Sequence, residues 1–236
     1  MEVVDYDPEL PAIKFSDESW EVADWVVACD GVKSKAVRIV SGGETPPKAT
    51  GMSAFSMVIP DEKMASVKEM FKENNLIREK FNKDNGTVWF IRGGDRRLVV
   101  WWTCRFGKIQ AFDMLMPDNE KYASNEEWTA RCDKVCSRVP PDTLHKGKLC
   151  MLGDALHPTP PFRAQGGSQS IEDAGALERI ATNIVDKSDL PRRLEMLDRL
   201  RVSRYPCAQM ISSVRQDDLN LDERYIEVPS QCRKWF

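Results

Sequence analysis

The apolar run Leu149-Cys150-Met151-Leu152 stops at Gly153-Asp154, and that break constrains the fold more than any other stretch of the 236-residue chain. A short apolar run closed by glycine reads as a buried strand. Ala155-Leu156-His157-Pro158 then leads into a loop stiffened by Pro158, Pro160 and Pro161. Gly166 and Gly167 open a helix that the pattern carries from Gly167 to about Val185. Strand, loop and helix in that order put a carboxylate, Asp154, at the strand's end and bare backbone N–H groups at the helix start. That suits a ligand offering hydroxyls to the carboxylate and an electron-rich ring edge to the helix. Along the helix, Ile171, Ala174, Leu177, Ile180, Ala181 and Ile184 are expected on one core-facing side. Glu172 and Asp173 are read as lying in its first turns, where they favour the helix dipole.

Upstream, Ala12 to Phe15 and the run Trp25-Val26-Val27-Ala28-Cys29 read as strands. The second ends at the turn signal Asp30-Gly31, and a short helix is expected around Val37-Arg38. Gly42-Gly43 and Pro46-Pro47 mark a loop. Met52 to Ile59 reads as a strand, and Asp61 to Lys83 as one amphipathic helix with Met64, Val67, Met70, Phe71 and Leu76 toward a core. Asn85-Gly86 is a hairpin signal, and Gly93-Gly94-Asp95 separates two strands. Val88–Ile91, Leu98–Cys104 and Ile109–Met116, joined by short turns, predict an antiparallel sheet. Helix is expected near Glu126-Glu127-Trp128, and again over Leu194 to Val214 with arginines on its outer face.

Composition narrows the function classes. The chain is 42% hydrophobic and 30% charged, the balance of a soluble globular protein. A net charge of −3 offers no basic field for nucleic acid, and Arg96-Arg97 and Arg192-Arg193 sit beside acids as solvated faces. No apolar stretch approaches the roughly 18 residues of a membrane span. The acidic N-terminus lacks the features of a signal peptide. Seven scattered cysteines indicate reduced thiols and a cytoplasmic setting. Cys132 and Cys136 are expected on one helical face, without further Cys or His at metal-ligand spacing, so no metal site is expected.

Two motifs stand in order: Asp30-Gly31-Val32-Lys33-Ser34, running on to Arg38, and Gly153-Asp154-Ala155-Leu156-His157-Pro158 with Gln165-Gly166-Gly167 and Ile171-Glu172-Asp173-Ala174. Together, over about Trp20 to Arg204, they resemble the FAD-dependent aromatic hydroxylases, single-component flavin monooxygenases of the para-hydroxybenzoate and salicylate hydroxylase type. The resemblance implies a flavin-dependent monooxygenase that uses FAD, NAD(P)H and O2 to hydroxylate or epoxidise a small aromatic, polyketide- or terpenoid-like substrate. It assigns Asp154 to the flavin ribityl hydroxyls, with Gly153 beside it in the cofactor site, and Gly166, Gly167 and Ser168 to the flavin ring edge. Pro158 belongs to the loop facing the ring. Asp30 and Arg38 form the structural pair of a motif linked to flavin and to reduced pyridine nucleotide. His157 is expected to brace the loop rather than transfer a proton. Substrate is expected near Trp89–Trp102 and Ile109–Met116, whose aromatics also suit core packing.

The implied fold is α/β: a partial FAD-binding domain with an inserted mixed, mostly antiparallel substrate-binding sheet backed by helices. Its expected parts are residues 1–45 with the Asp-Gly motif, 46–146 as the substrate-binding domain, and 147–236 as the returning FAD-binding segment.

The sequence also departs from the family. Ser168 stands where Asn is common, and Cys29 precedes the motif aspartate. No Gly-x-Gly-x-x-Gly occurs, the turn that holds the pyrophosphate of a dinucleotide. The alternative reading is therefore a truncated, non-catalytic remnant, or a partner of a complementary chain that carries the dinucleotide half. A halogenase is disfavoured because the Lys and Trp motif of that group is absent.

Overall fold

The computed structural model describes residues 1–82, 88–93, 97–118 and 131–213. In chain order its elements are strands β1 (Val3–Asp7), β2 (Ala12–Phe15), β3 (Trp20–Val22) and β4 (Val26–Ala28), helix α1 (Ala36–Val40), strand β5 (Lys48–Pro60), helices α2 (Ala65–Met70) and α3 (Asn75–Asn82), strands β6 (Trp89–Arg92), β7 (Leu98–Cys104), β8 (Ile109–Pro117), β9 (Arg131–Ser137), β10 (His145–Lys146) and β11 (Leu149–Met151), and helices α4 (Gly166–Ala181), α5 (Leu190–Arg201) and α6 (Tyr205–Ser213). Two units are separable: Met1–Lys48 with the chain from Cys136 onward, and Ala49–Val135.

In the first unit β11 lies parallel to β4, with Leu149 opposite Val26 and Met151 opposite Ala28, and β10 flanks β11 antiparallel. Both parallel strands are buried, as their unbroken apolar runs require. A separate antiparallel meander, β1-β2-β3, precedes them. The core joins Val26, Ala28, Leu149, Met151, Ile180, Leu194, Leu197 and Tyr205. Leu194 and Leu197 are both fully buried, three positions apart on one stripe of α5, each contributing about 1.5–3 kcal/mol of apolar transfer.

The second unit is a five-stranded sheet in the order β6-β7-β8-β5-β9, with its β6–β7, β7–β8 and β8–β5 pairs antiparallel. The fold class is thus the α/β arrangement with a mostly antiparallel inserted sheet that the resemblance implied. A polar chain runs from a buried pair of this sheet to the half-buried Asp61 after β5: Trp101 Nε1 donates to Gln110 Oε1 at 2.8 Å, and Gln110 Nε2 donates to Asp61 Oδ1 at 2.8 Å. Trp101 also stacks on Phe112, ring centroids 5.3 Å apart.

Several sequence expectations are corrected. The helix expected over Asp61 to Lys83 is a 3-10 turn followed by two helices, because Asn74 starts afresh: its Oδ1 accepts the Ile77 N–H at 3.2 Å as an N-cap. Met64 is buried, but Met70 is 75% exposed. The helix expected over Leu194 to Val214 divides into α5 and α6, because Pro206 cannot continue an i→i−4 ladder and instead occupies the first turn of α6. Residues around Cys132 and Cys136 form strand β9, not a helix. Helix α4 ends at Ala181, where Asn183 takes a left-handed φ of 59° and turns the chain out. Asn85-Gly86, Gly94-Asp95, Arg96, Glu126-Glu127-Trp128 and the segment beyond Gln216 lie outside the described residues.

Candidate functional site

β4 and β11 run in the same direction and end together, so their two motifs emerge side by side. Asp30 follows Ala28 by two residues and Asp154 follows Met151 by three, and the Leu152 N–H still donates to Ala28 O at 3.0 Å. The carboxyl ends of parallel strands are where open α/β sheets hold ligands. Gly153 makes the exit turn at φ 58°, in the left-handed region, and a Cβ there would meet Ser170 Oγ at 3.2 Å. The turn closes through Leu156 N and His157 N, both donating to Gly153 O.

Asp154 is exposed at this turn, and its carboxylate takes no hydrogen bond from the described residues. Pro158 and Pro160 are buried, and Pro161 is exposed. The loop reaches α4 through Ala164, held at φ 53°, a conformation that costs a non-glycine residue about 1 kcal/mol. α4 then starts at Gly166 with no side-chain cap, since Gln165 at the N-cap position makes no capping bond. Its first-turn N–H groups have no intrahelical acceptors. A Cβ on Gly167 would find nothing within 4 Å, and one on Gly166 would just touch Thr159 Cβ at 4.0 Å. Gly167 and Ser168 are exposed. An uncapped helix N-terminus with open space over its glycine and a free strand-end carboxylate fit the ring-edge and ribityl parts of a flavin.

Asp30 and Arg38 do not pair, contrary to the sequence expectation. Asp30 Oδ2 accepts from Tyr6 OH at 2.9 Å, while Arg38 Nη2 donates to Asp5 Oδ1 at 2.9 Å on the surface. Both reach β1, whose alternation turns neighbouring residues Asp5 and Tyr6 to different partners. Burial, then the Asp30 bond and charge, push the Tyr6 hydroxyl pKa well above its ordinary value.

α4 also departs from expectation. Ile171 is 75% exposed and Ala174 is exposed, whereas Gln169, Asp173 and Ile180 are buried. The inward face of its first half is polar because Asp173 holds the turn in front of it. Asp173 Oδ2 accepts the Gly153 N–H at 2.8 Å and faces His157 Nε2 at 2.7 Å, and Oδ1 accepts Arg201 Nε at 2.7 Å. An ionised carboxylate only accepts, which puts the imidazole proton on Nε2. Burial acts to raise the Asp173 carboxyl, but the bond and charge of His157, the Gly153 N–H and Arg201 together hold it below the usual carboxylate range. His157 is fully buried and stacks on Tyr205 at 5.3 Å, so it braces the loop. Arg201, expected on an outer face, is 3% exposed and also donates to Glu172 and Gln169.

Arg138 was not singled out in the sequence. Its buried guanidinium donates to Val32 O at 3.2 Å in the first motif and to Ala155 O at 2.6 Å in the second. Burial lowers its pKa, and the charges of Asp154 and Asp30 oppose that. An isolated arginine two residues before Pro140-Pro141 carries no motif signal. Asp173 did have one: Gln169, Asp173, Ala176 and Ile180 are spaced as one helix face.

Residues 11–186 match the family described as FAD binding domain. The FAD-dependent monooxygenase phomE of Diaporthe leptostromiformis is 30% identical over 233 residues, covering 89% of this chain and 61% of that protein. The FAD-dependent monooxygenase cfoG of Aspergillus candidus is 27% identical, covering 91% of this chain and 55% of that protein. The chain thus spans less than two thirds of the length of these curated relatives. Among solved structures, a salicylate hydroxylase substrate complex superposes with a TM-score of 0.71 at 19% identity, covering 100% of this chain and 70% of that one. Klebsiella pneumoniae HpxO complexed with FAD and uric acid gives 0.70 at 16% identity, covering 99% and 65%. With three quarters of its length inside that match, the chain belongs to the family described as FAD binding domain, whose cofactor is FAD.

Proposed function

We propose that this protein takes part in FAD-dependent monooxygenation, with Asp154 holding the ribityl hydroxyls and the α4 N-terminus at Gly166, Gly167 and Ser168 facing the ring edge. The single observation behind this is the uncapped start of α4 together with the exposed Asp154 carboxylate after β11, which takes no hydrogen bond among the described residues. When bound, the flavin supplies the two-electron chemistry that lets NAD(P)H and O2 yield a hydroxylated or epoxidised product, water and NAD(P)+. The chain's own residues orient it: the helix field favours negative charge at the ring edge, and Asp154 fixes the ribityl chain. Pro158, buried at the start of the loop, stiffens the approach to the ring, and Asp30 borders the site from the end of β4. The substrate in this reading is a small aromatic or natural-product molecule taken by the Ala49–Val135 unit; the relatives named as FAD-dependent monooxygenases support the reaction class. No helix among the described residues is long and apolar enough to cross a membrane.

Titration of the purified chain with FAD tests the proposal. Saturable quenching of flavin fluorescence is expected, weakened at least tenfold by Asp154→Ala. Absence of quenching at high micromolar FAD favours the non-catalytic remnant or a requirement for a complementary chain.

A further inference from the structure

We propose that Asp173 is a positioning residue that couples the two halves of the flavin site, the Asp154 turn and the start of α4. The inference rests on the flavin reading above. Asp173 lies seven residues after Gly166, two turns into the helix whose N-terminus forms one half. Its carboxylate grips both ends of the five-residue turn that forms the other half, Gly153 through its N–H and His157 through Nε2. The covalent path between the halves is the loop from Pro158 to Gln165, which includes the left-handed Ala164. The shorter link is this one side chain.

The surroundings hold the carboxylate in place. Arg201 Nε bonds its second oxygen, Arg201 Nη2 bonds Gln169 Oε1 one turn earlier on α4, and Tyr205 stacks on the His157 ring. Asp173 and Arg201 are 1% and 3% exposed, so neither relies on water for its partners. A carboxylate is the group that accepts the Gly153, His157 and Arg201 donors at once. An amide in its place keeps one acceptor oxygen, and alanine keeps none.

Removing either member of a buried ion pair alone leaves a buried charge and confounds folding with binding. The test therefore compares two paired variants of the full chain, Asp173→Asn with Arg201→Met and Asp173→Ala with Arg201→Met. Riboflavin and FAD affinities are read by fluorescence quenching at a temperature where circular dichroism shows each variant folded. Amide exchange at Gly153 is read without flavin. The Asn pair, which keeps an acceptor for the Gly153 N–H, is expected to bind riboflavin within threefold of wild type. The Ala pair is expected to bind at least tenfold more weakly, with Gly153 exchanging at least tenfold faster. Riboflavin affinity within threefold of wild type in the Ala pair overturns the inference while leaving the flavin site standing. Should the Ala pair not fold, the Asn pair decides, and a tenfold loss there overturns it. A wild-type chain that quenches neither flavin overturns the flavin reading and this inference with it.

Discussion

Arg138 Nη2 donates to the carbonyl oxygen of Ala155 at 2.6 Å, and Nη1 of the same guanidinium donates to Val32 O at 3.2 Å. One side chain arriving from the end of β9 thereby fastens the loops that follow two parallel strands. Carbonyl oxygens in such loops have no ladder partner, and a planar fork of donors meets two of them at once.

Replacing Arg138 with Met leaves those carbonyls unbonded, and about 2–4 kcal/mol of stability is expected to be lost. Arg138→Lys, a point donor on a flexible stem, is expected to recover less than half of that. Urea denaturation of the three proteins measures both differences.

Gly153 and Gly167 separate folding from binding. Gly153→Ala introduces a Cβ at φ 58° that meets Ser170 Oγ at 3.2 Å, and a loss of about 1–2 kcal/mol is expected. Gly167→Ala adds a Cβ into open space, so stability is expected to stay within about 0.5 kcal/mol of wild type or rise. The same methyl stands beside the N–H groups assigned to the ring edge, and flavin affinity is expected to fall at least fivefold. Thermal unfolding and flavin titration of each variant check the pair.

Stability is expected to fall on acidification through the depressed carboxyls of α4. Glu172 is lowered to about 2, chiefly by its bond from Arg204, and Asp173 is also lowered, its partners outweighing burial. Unfolded carboxyls take up protons near pH 4, while these two stay ionised in the native state. Their stabilisation is therefore complete above about pH 5 and is lost as pH falls through their native values. Glu172 is a third exposed, so its share is small and salt-screened. Denaturation free energies between about pH 6 and about pH 3 are expected to decline less steeply for Asp173→Asn with Arg201→Met than for wild type.

In the Ala49–Val135 unit, Gln110→Leu takes the acceptor from the Trp101 indole and a donor from Asp61. A loss of about 1–3 kcal/mol is expected, with a shift in tryptophan emission. Urea denaturation followed by fluorescence reads both.

The parts of this fold legible in the sequence are those in which apolar runs end at strong punctuation. Trp25–Cys29 before Asp30-Gly31 and Leu149–Leu152 before Gly153 gave both parallel strands, and the run from Leu98 to Met116 gave two antiparallel ones. Their periodicity and their turns agree. Asn74 and Pro206 broke two expected helices from within: an N-cap side chain and a missing N–H act locally, and an otherwise continuous apolar pattern conceals them. The pattern puts Ile171 rather than Asp173 on the inward face of α4 because hydrophobicity ranks it higher. In the folded chain the aspartate has three partners waiting inside and the isoleucine has none. Arg138 could not be found from the sequence at all, since its acceptors are backbone carbonyls 106 and 17 residues away.

The central claim, that flavin binds across the Asp154 turn and the α4 N-terminus, is tested most directly by amide chemical shifts of the isotopically labelled chain during riboflavin titration. The largest saturable changes are expected at Gly166, Gly167, Ser168 and Asp154, with Gly153 next. Saturable changes confined to other residues, or no changes at saturating riboflavin, would contradict it.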